Sequence, residues 1–410
     1  MKVVLFLIDA CRYDYISKDH TPFLWECSEK GKHIKHVIPS AGFCERTEIF
    51  TGLRPNESGF FTAIGFDPDS SPYKNNLLLN LVGKLEILVG LFNSKRISLS
   101  KFFRKIMLKI LRGYFSRFKL RPYNIPFVFL KYFNLTEDEF EMTTNDIAGS
   151  TSLFKMIEMK GEHSYLDAFT SLGKPSNGSD EDRIDAAILA ASKKDYLFTP
   201  VYIGVIDSEG HKFGPDSKEL KSELNRLDTI LRNSVQRFLE IDKKTSFVFL
   251  GDHGMTEVKS DLDVELIIIQ LAKSLKLKKG KDYVYFLDST MVRVWFLTEN
   301  AKIKLGSLIR ENEVLSLNGE VIDDETSKLY DIPIGDRRYG DIAWWANEGV
   351  LIFPDFFHDR KPYSGMHGYK PIHSSTHGTC IAIGEDITHS YLDSMNLHEV
   401  YDLISGLIEN

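Results

Sequence analysis

The sequence predicts an α/β protein built on a mostly parallel central sheet with helices on both faces, interrupted by a basic helical insertion. Three observations point there. Apolar, β-branched and aromatic runs at Val3 to Ile8, Val201 to Ile206 and Ser246 to Leu250 read as buried parallel strands, and each ends by delivering an Asp, twice with a His close behind. These runs alternate with helical patterns, the arrangement of a doubly wound sheet. Between Lys84 and Lys131 the chain carries twelve Lys and Arg against the single acid Glu86, a net +11, so the rest of a chain at −7 carries −18.

In chain order, Val3 to Ile8 reads as the first strand, and Thr21-Pro22-Phe23-Leu24 opens a helix. His36-Val37-Ile38 follows as a strand, and a helix runs through Thr47 and Phe50 to the Gly and Pro stop at Thr51-Gly52-Leu53-Arg54-Pro55. From about Pro72 to Met142 the character turns basic, aromatic and helical. Alternating helices and strands return from 150 to 260, where Ser217 to Ile241 is a long amphipathic helix with Leu220, Leu224, Leu227, Ile230 and Leu231 at helical spacing. Residues 280 to 360 read as a short mixed segment, and Thr379 to Ile383 as the last strand, with the Asp and His of Asp207 to His211 placed where a strand meets a loop. The expected division is a main domain of residues 1–71 and 143–410 with an insertion at 72–142.

At 410 residues, 43% hydrophobic and 27% charged, the composition is that of a globular protein with a large core. The first strand starts so early that the pattern of a secretory leader is not readable ahead of it, and the expected location is cytoplasmic. Cys11, Cys27, Cys44 and Cys380 are scattered without metal-finger spacing and read as free thiols.

Carboxylate and imidazole at strand ends suggest metal ligands. Asp207 and His211 stand four apart, Asp252 and His253 are adjacent, and with Asp9 and one further His they supply two sites of mixed oxygen and nitrogen donors, a set suited to zinc or manganese rather than calcium. Two such ions can clamp the attacking and leaving oxygens of a phosphoryl transfer.

Six motifs then occur in a familiar order: Leu7-Ile8-Asp9-Ala10-Cys11-Arg12-Tyr13-Asp14-Tyr15, Thr21-Pro22-Phe23-Leu24 with Gly31, Thr51-Gly52-Leu53-Arg54-Pro55, Asp207-Ser208-Glu209-Gly210-His211 with Gly214-Pro215, Gly251-Asp252-His253-Gly254-Met255, and Met366-His367-Gly368-Tyr369-Lys370-Pro371. In these the chain resembles the type I phosphodiesterase/nucleotide pyrophosphatase branch of the alkaline phosphatase superfamily, over nearly its whole length. The resemblance implies an alkaline phosphatase-like fold and a two-metal phosphodiesterase. It implies Asp9, Asp252 and His253 at one ion and Asp207, His211 and His367 at the other. His367 is preferred to His373 and His377 because it stands in the family's HGYxP motif. Zinc is the first expectation for the metal and manganese the second.

The pattern breaks at the nucleophile. The family's Thr or Ser lies nine residues before Thr51, where this chain has Gly42. Cys44, near a helix start and beside Arg46, is the leading substitute, since cations and a helix N-terminus favour a thiolate; Ser40, Thr47 and a metal-activated water remain open. Arg46 stands at the spacing of an active-site Arg in the sulfatase branch and is a candidate clamp for a substrate oxyanion. Glu45 stands where the diesterase branch has an oxyanion-stabilising Asn. The expected substrate is a small anionic phosphoester, with a phosphonate or sulfate ester hydrolase, a head-group transferase and a metal-binding homologue without catalysis as alternatives. No nucleic-acid polymer is expected as partner.

Within the insertion, Lys101 to Lys119 reads as a basic helix with a broad apolar face, either a cap over the active site or a contact with an anionic membrane surface through residues 84–131. Leu77 to Phe92 is too short and too charged to span a bilayer.

Overall fold

All six residues of Val3–Ile8 are buried, as a strand covered on both faces requires. The computed structural model describes residues 1–92, 99–136, 147–166 and 178–409. Its two larger sheets contain β1 (Val3–Ile8), β2 (Lys32–Ile38), β3 (Phe198–Ile203), β4 (Ser246–Leu250), β5 (Tyr283–Leu287), β6 (Met291–Phe296), β7 (Gly319–Val321), β8 (Ile342–Ala346), β9 (Gly378–Ile383) and β10 (Ser390–Asn396). The six-stranded central sheet has the order β10-β2-β9-β4-β1-β3. β1 runs parallel to both β3 and β4, with Ile8 opposite Ile203 and Leu7 opposite Leu250. That register brings three carboxyl ends to one level, the edge at which open α/β sheets bind ligands. β9 is antiparallel to β4 and β2, and β10 is parallel to β2.

Alternate residues of β1 enter opposite layers. Val4, Phe6 and Ile8 pack with Leu220, Leu224, Leu227 and Leu231 of the helix Lys218–Ile241, whereas Val3, Leu5 and Leu7 pack with Phe50, Phe154 and Ile404. Each such side chain contributes roughly 1.5–3 kcal/mol by leaving water. The long helix starts where Ser217 accepts a hydrogen bond from the Leu220 N–H. From its buried middle, Asp228 accepts from the N–H groups of Phe23 and Leu24 at 2.8 and 2.9 Å, capping the helix Pro22–Lys30 from another element.

The structure departs from the sequence reading in four places. Residues 280–360 hold a four-stranded antiparallel sheet, β7-β8-β6-β5, rather than a short mixed segment. Thr379 to Ile383 is not the last strand, because the exposed edge strand β10 follows it. Asp207 and His211 lie on a helix, Val205–Phe213, and not in a loop, so their spacing of four sets them on one helical face. The basic helix covers Leu99–Ile110 only; Arg112–Phe115 is a separate turn in which Gly113 weakens the helix and Phe115 enters the core.

Aromatic residues of the insertion, among them Tyr73, Phe115, Phe127, Phe129 and Phe133, share one apolar cluster with Tyr285, Phe286, Trp295 and Trp344 of the second sheet. This stretch and that sheet therefore share one core, a second lobe beside the central sheet. Arg104 and Glu86 meet in its interior as a buried pair, with Glu86 also accepting from the Phe127 N–H, so Arg104 is not one of the surface cations. Lys95 and Arg96 of the basic stretch, and residues 137–142 of the expected insertion, lie outside the described residues.

Candidate metal centre

β1 ends at Ile8 and presents Asp9, and β4 ends at Leu250 and presents Asp252 and His253. At Gly251 the two strand exits approach so closely that a Cβ would lie 2.1 Å from the Cys11 carbonyl oxygen. Ala10 turns through a left-handed conformation (φ 59), a strain of order 1–3 kcal/mol. Its N–H donates to Asp252 Oδ1 at 3.2 Å, joining the two ligand segments. His253 donates from Nδ1 to the Gly254 carbonyl, which turns Nε2 toward Asp9 Oδ1 at 3.1 Å. Tyr202, facing the site from β3, donates its hydroxyl to Asp9 Oδ2.

On the helix Val205–Phe213, Asp207 Oδ1 stands 3.0 Å from His211 Nε2, while His211 Nδ1 donates to the Gly365 carbonyl. His367 closes the gap between the two halves, its ring stacked on His253 at 4.0 Å between centroids and 5.2 Å from His211. Three groups of donor atoms result, each within 4.8 Å of one another: Asp9, Asp252 and His253; Asp207, His211 and His367; and Glu45, His253 and His367. His373 pairs instead with Glu348, and His377 donates to the Pro371 carbonyl.

The electrostatics suit a cation. Burial would raise Asp9, but the hydrogen bond and charge of His253 bring it below the usual carboxylate range. Burial pushes Asp252 up against the pull of His253, with Asp9 and Glu45 adding repulsion. His253 is held well above its ordinary value against burial by Asp252, Asp9 and Glu45. His367 is driven well below it by burial and by His253 and His211, and so stays in the neutral form that binds metal. Two buried atoms, Asp207 Oδ1 and His367 Nδ1, make no hydrogen bond. Crowded carboxylates, a neutral imidazole and an unsatisfied oxygen are what a pair of dications would complete, and the mixed donor set fits zinc or manganese.

These residues line a cavity of about 320 Å³ together with Phe43, Glu45, Arg46, Tyr123, Phe357 and His358. The structure thus brings together all six expected ligands and Arg46, whose guanidinium lies over the Tyr202 ring at 5.4 Å. It does not bring Cys44 or Ser40 to the cavity. Cys44 is the buried N-cap of the helix Glu45–Thr51, and Ser40 donates to the buried Glu48 at 2.6 Å. Thr47 is fully buried. Gly42 has φ 104, and a Cβ there would lie 2.0 Å from the Phe61 carbonyl oxygen. Sequence reasoning missed Tyr202, hidden inside an apolar strand run, and Tyr123, Phe357 and His358, which approach the metal ligands only through the fold of the second lobe.

The model of type I phosphodiesterases and nucleotide pyrophosphatases matches residues 3–370. The chain belongs to that family. Family member 7 of the rat ectonucleotide pyrophosphatase/phosphodiesterases is 32% identical over 78 residues, 18% of each chain. An uncharacterized pyrophosphatase/phosphodiesterase of Schizosaccharomyces pombe is 24% identical over 264 residues, 62% of this chain and 44% of its own. A mouse GPI ethanolamine phosphate transferase 1 matches over 27% of this chain and 14% of its own, so the matched segments make up less than half of these curated relatives. Murine ectonucleotide pyrophosphatase/phosphodiesterase 5 superposes with a TM-score of 0.66 at 19% identity, covering 100% of this chain and 95% of the other, and the human protein does so with 0.67 at 18%. An inactive variant of the murine protein has been solved in complex with AMP. The fold is alkaline phosphatase-like, with its central sheet mostly parallel.

Proposed function

We propose that this chain is a two-metal phosphodiesterase that hydrolyses a small anionic phosphoester. One observation carries the reading: two donor triads, one from the ends of β1 and β4 and one from the helix Val205–Phe213 with His367, face a single cavity that also holds Arg46. Asp9, Asp252 and His253 would hold one ion, and Asp207, His211 and His367 the other, zinc foremost and manganese second. Bound there, the ions supply Lewis-acid polarisation of the phosphoryl oxygens. Arg46, in the cavity lining, would hold a substrate oxyanion, while Tyr202 fixes Asp9 and Gly365 fixes the tautomer of His211. With Cys44 and Ser40 outside the cavity lining, water is the attacking group we favour. Turnover of bis-p-nitrophenyl phosphate by protein reconstituted with zinc or manganese tests this, with Asp252→Asn and His211→Ala expected to lose metal and activity together. Gly42 favours one second reading, a metal-binding homologue without catalysis, which the absence of turnover in the two-metal protein would select.

We further propose a cytoplasmic location, at an anionic membrane surface that meets the insertion. The helices Leu77–Gly90 and Leu99–Ile110 pack on each other and expose apolar stripes at helical spacing, Leu77, Leu81, Leu85 and Leu88 on one and Phe102, Ile106 and Ile110 on the other. Lys84, Lys109, Arg112 and Arg117 are exposed around them, and Glu86, the one acid in residues 77–92 and 99–131, is buried against Arg104. An apolar face rimmed by cations suits anionic lipid. No helix among the described residues is long and apolar enough to cross a membrane. Binding to phosphatidylserine vesicles at low salt, weakened by added salt and by Lys84, Lys109, Arg112 and Arg117→Gln, is expected; no binding at low salt would leave the cap role alone.

A further inference from the structure

The loop before the helix Glu45–Thr51 has lost one functional group and gained another. Gly42 offers no hydroxyl, and its left-handed backbone is locked by the Phe43 N–H, which donates to the Phe61 carbonyl at 2.8 Å. The helix that follows turns Cys44 into the interior and projects Glu45 and Arg46 into the metal cavity. Glu45 does not face away from the ligands. Its carboxylate lies within 4.8 Å of donor nitrogens of both His253 and His367. These two imidazoles belong to different triads, and their rings are stacked at 4.0 Å, so one carboxylate beside them reaches both. Glu45 also acts electrostatically on the Asp252 and His253 pair.

We propose that Glu45 is a seventh metal ligand that bridges the two ions, its carboxylate within 4.8 Å of one donor nitrogen from each triad. The proposal rests on the reading that each triad holds a dication. It has a consequence for charge. Asp9, Asp207 and Asp252 leave two dications with one formal positive charge, and Glu45 brings the centre to zero. The ions are then held more tightly and attract a phosphate anion less, which leaves Arg46 as the positive group facing the substrate in the cavity lining.

The experiment is metal binding rather than turnover. Zinc and manganese are titrated into metal-free full-length protein, wild type against Glu45→Gln, Glu45→Ala and Glu45→Asp, with circular dichroism and melting of the metal-free proteins confirming that all are folded. The wild type is expected to bind two ions. Glu45→Gln and Glu45→Ala should weaken the second by at least about tenfold, as loss of a supporting ligand does. Glu45→Asp should recover part of the loss. The dimanganese protein should show exchange coupling between the ions in its electron paramagnetic resonance spectrum, diminished in Glu45→Gln. Two ions bound by Glu45→Ala with wild-type affinity and unchanged coupling would overturn the bridge, as would a wild type that binds fewer than two. If the wild type binds two coupled ions yet cleaves no diester, the hydrolase reading fails and the bridge stands.

Discussion

Gly42 shows how one residue can settle what its neighbours do. At φ 104 and with a Cβ position 2.0 Å from the Phe61 carbonyl oxygen, a side chain there is excluded by both conformation and space. Restoring the family's hydroxyl is therefore not a gain. Gly42→Thr is expected to leave diester hydrolysis no higher than wild type and to destabilise the fold by about 1–3 kcal/mol or more, measured by urea denaturation. Higher turnover at unchanged stability would show that the loop can relax and accept a nucleophile. Cys44→Ala should keep metal affinity and activity near wild type, because the thiol is buried at the helix cap and outside the cavity lining. The six candidate ligands, which the fold brings to one cavity, could be picked out in the sequence because each stands in a short motif. The burial of Cys44 was not, since a cap residue near a metal site and one turned inward look alike until the turn at Gly42 is known.

At the scale of elements, sequence reading found most central strands, whose residues are uniformly apolar, and the long helix, whose leucines keep one period. It missed β10 because Ser390–Asn396 is an exposed edge strand with little apolar signal. It placed Asp207 and His211 in a loop because Val205 and Ile206 extend an apolar run that is already helical. The second sheet was underread because β7 is only three residues long and pairs with β8, far from it in sequence. A buried ion cluster ties that sheet to the basic helix. Glu265 meets Lys101 at 3.2 Å and Lys279 at 3.6 Å and accepts from the Tyr285 hydroxyl at 2.7 Å. Burial would raise Glu265, but these cations bring it down to about 2. For Lys279 burial wins and its value is lowered, a cost that does not vary in acid, where it is protonated folded or unfolded. A depressed carboxyl stabilises the fold above its unfolded value, near 4.5, and loses that contribution as pH falls toward 2. Glu265→Gln is accordingly expected to cost up to about 3 kcal/mol at pH 7, with the deficit shrinking between pH 4.5 and 2. A deficit independent of pH in urea titrations would assign the cost to packing.

Across the whole molecule, the candidate metal centre is where the central sheet and the second lobe are joined. Asp9, Asp252 and His253 belong to the sheet, whereas His367 stands on a loop fastened to the second lobe: the Gly368 carbonyl accepts from Trp345 Nε1 at 2.8 Å and Thr290 Oγ1 at 3.0 Å, and the Tyr369 hydroxyl donates to the Val350 carbonyl. An ion held by Asp207, His211 and His367 would therefore cross-link the two parts, and its binding free energy would count toward the stability of their union. By mass action, metal at a hundred times its dissociation constant adds about 2.7 kcal/mol. Chelation is expected to lower the melting temperature by several degrees, and added zinc or manganese to restore it. It should also loosen the segment that carries Phe357 and His358 from the second lobe to the cavity, so that trypsin cuts faster after the exposed Arg360 in the metal-free protein. Identical melting and cleavage with and without metal would mean that the lobes are fastened by their apolar contacts alone, and that the ions serve chemistry without serving the fold.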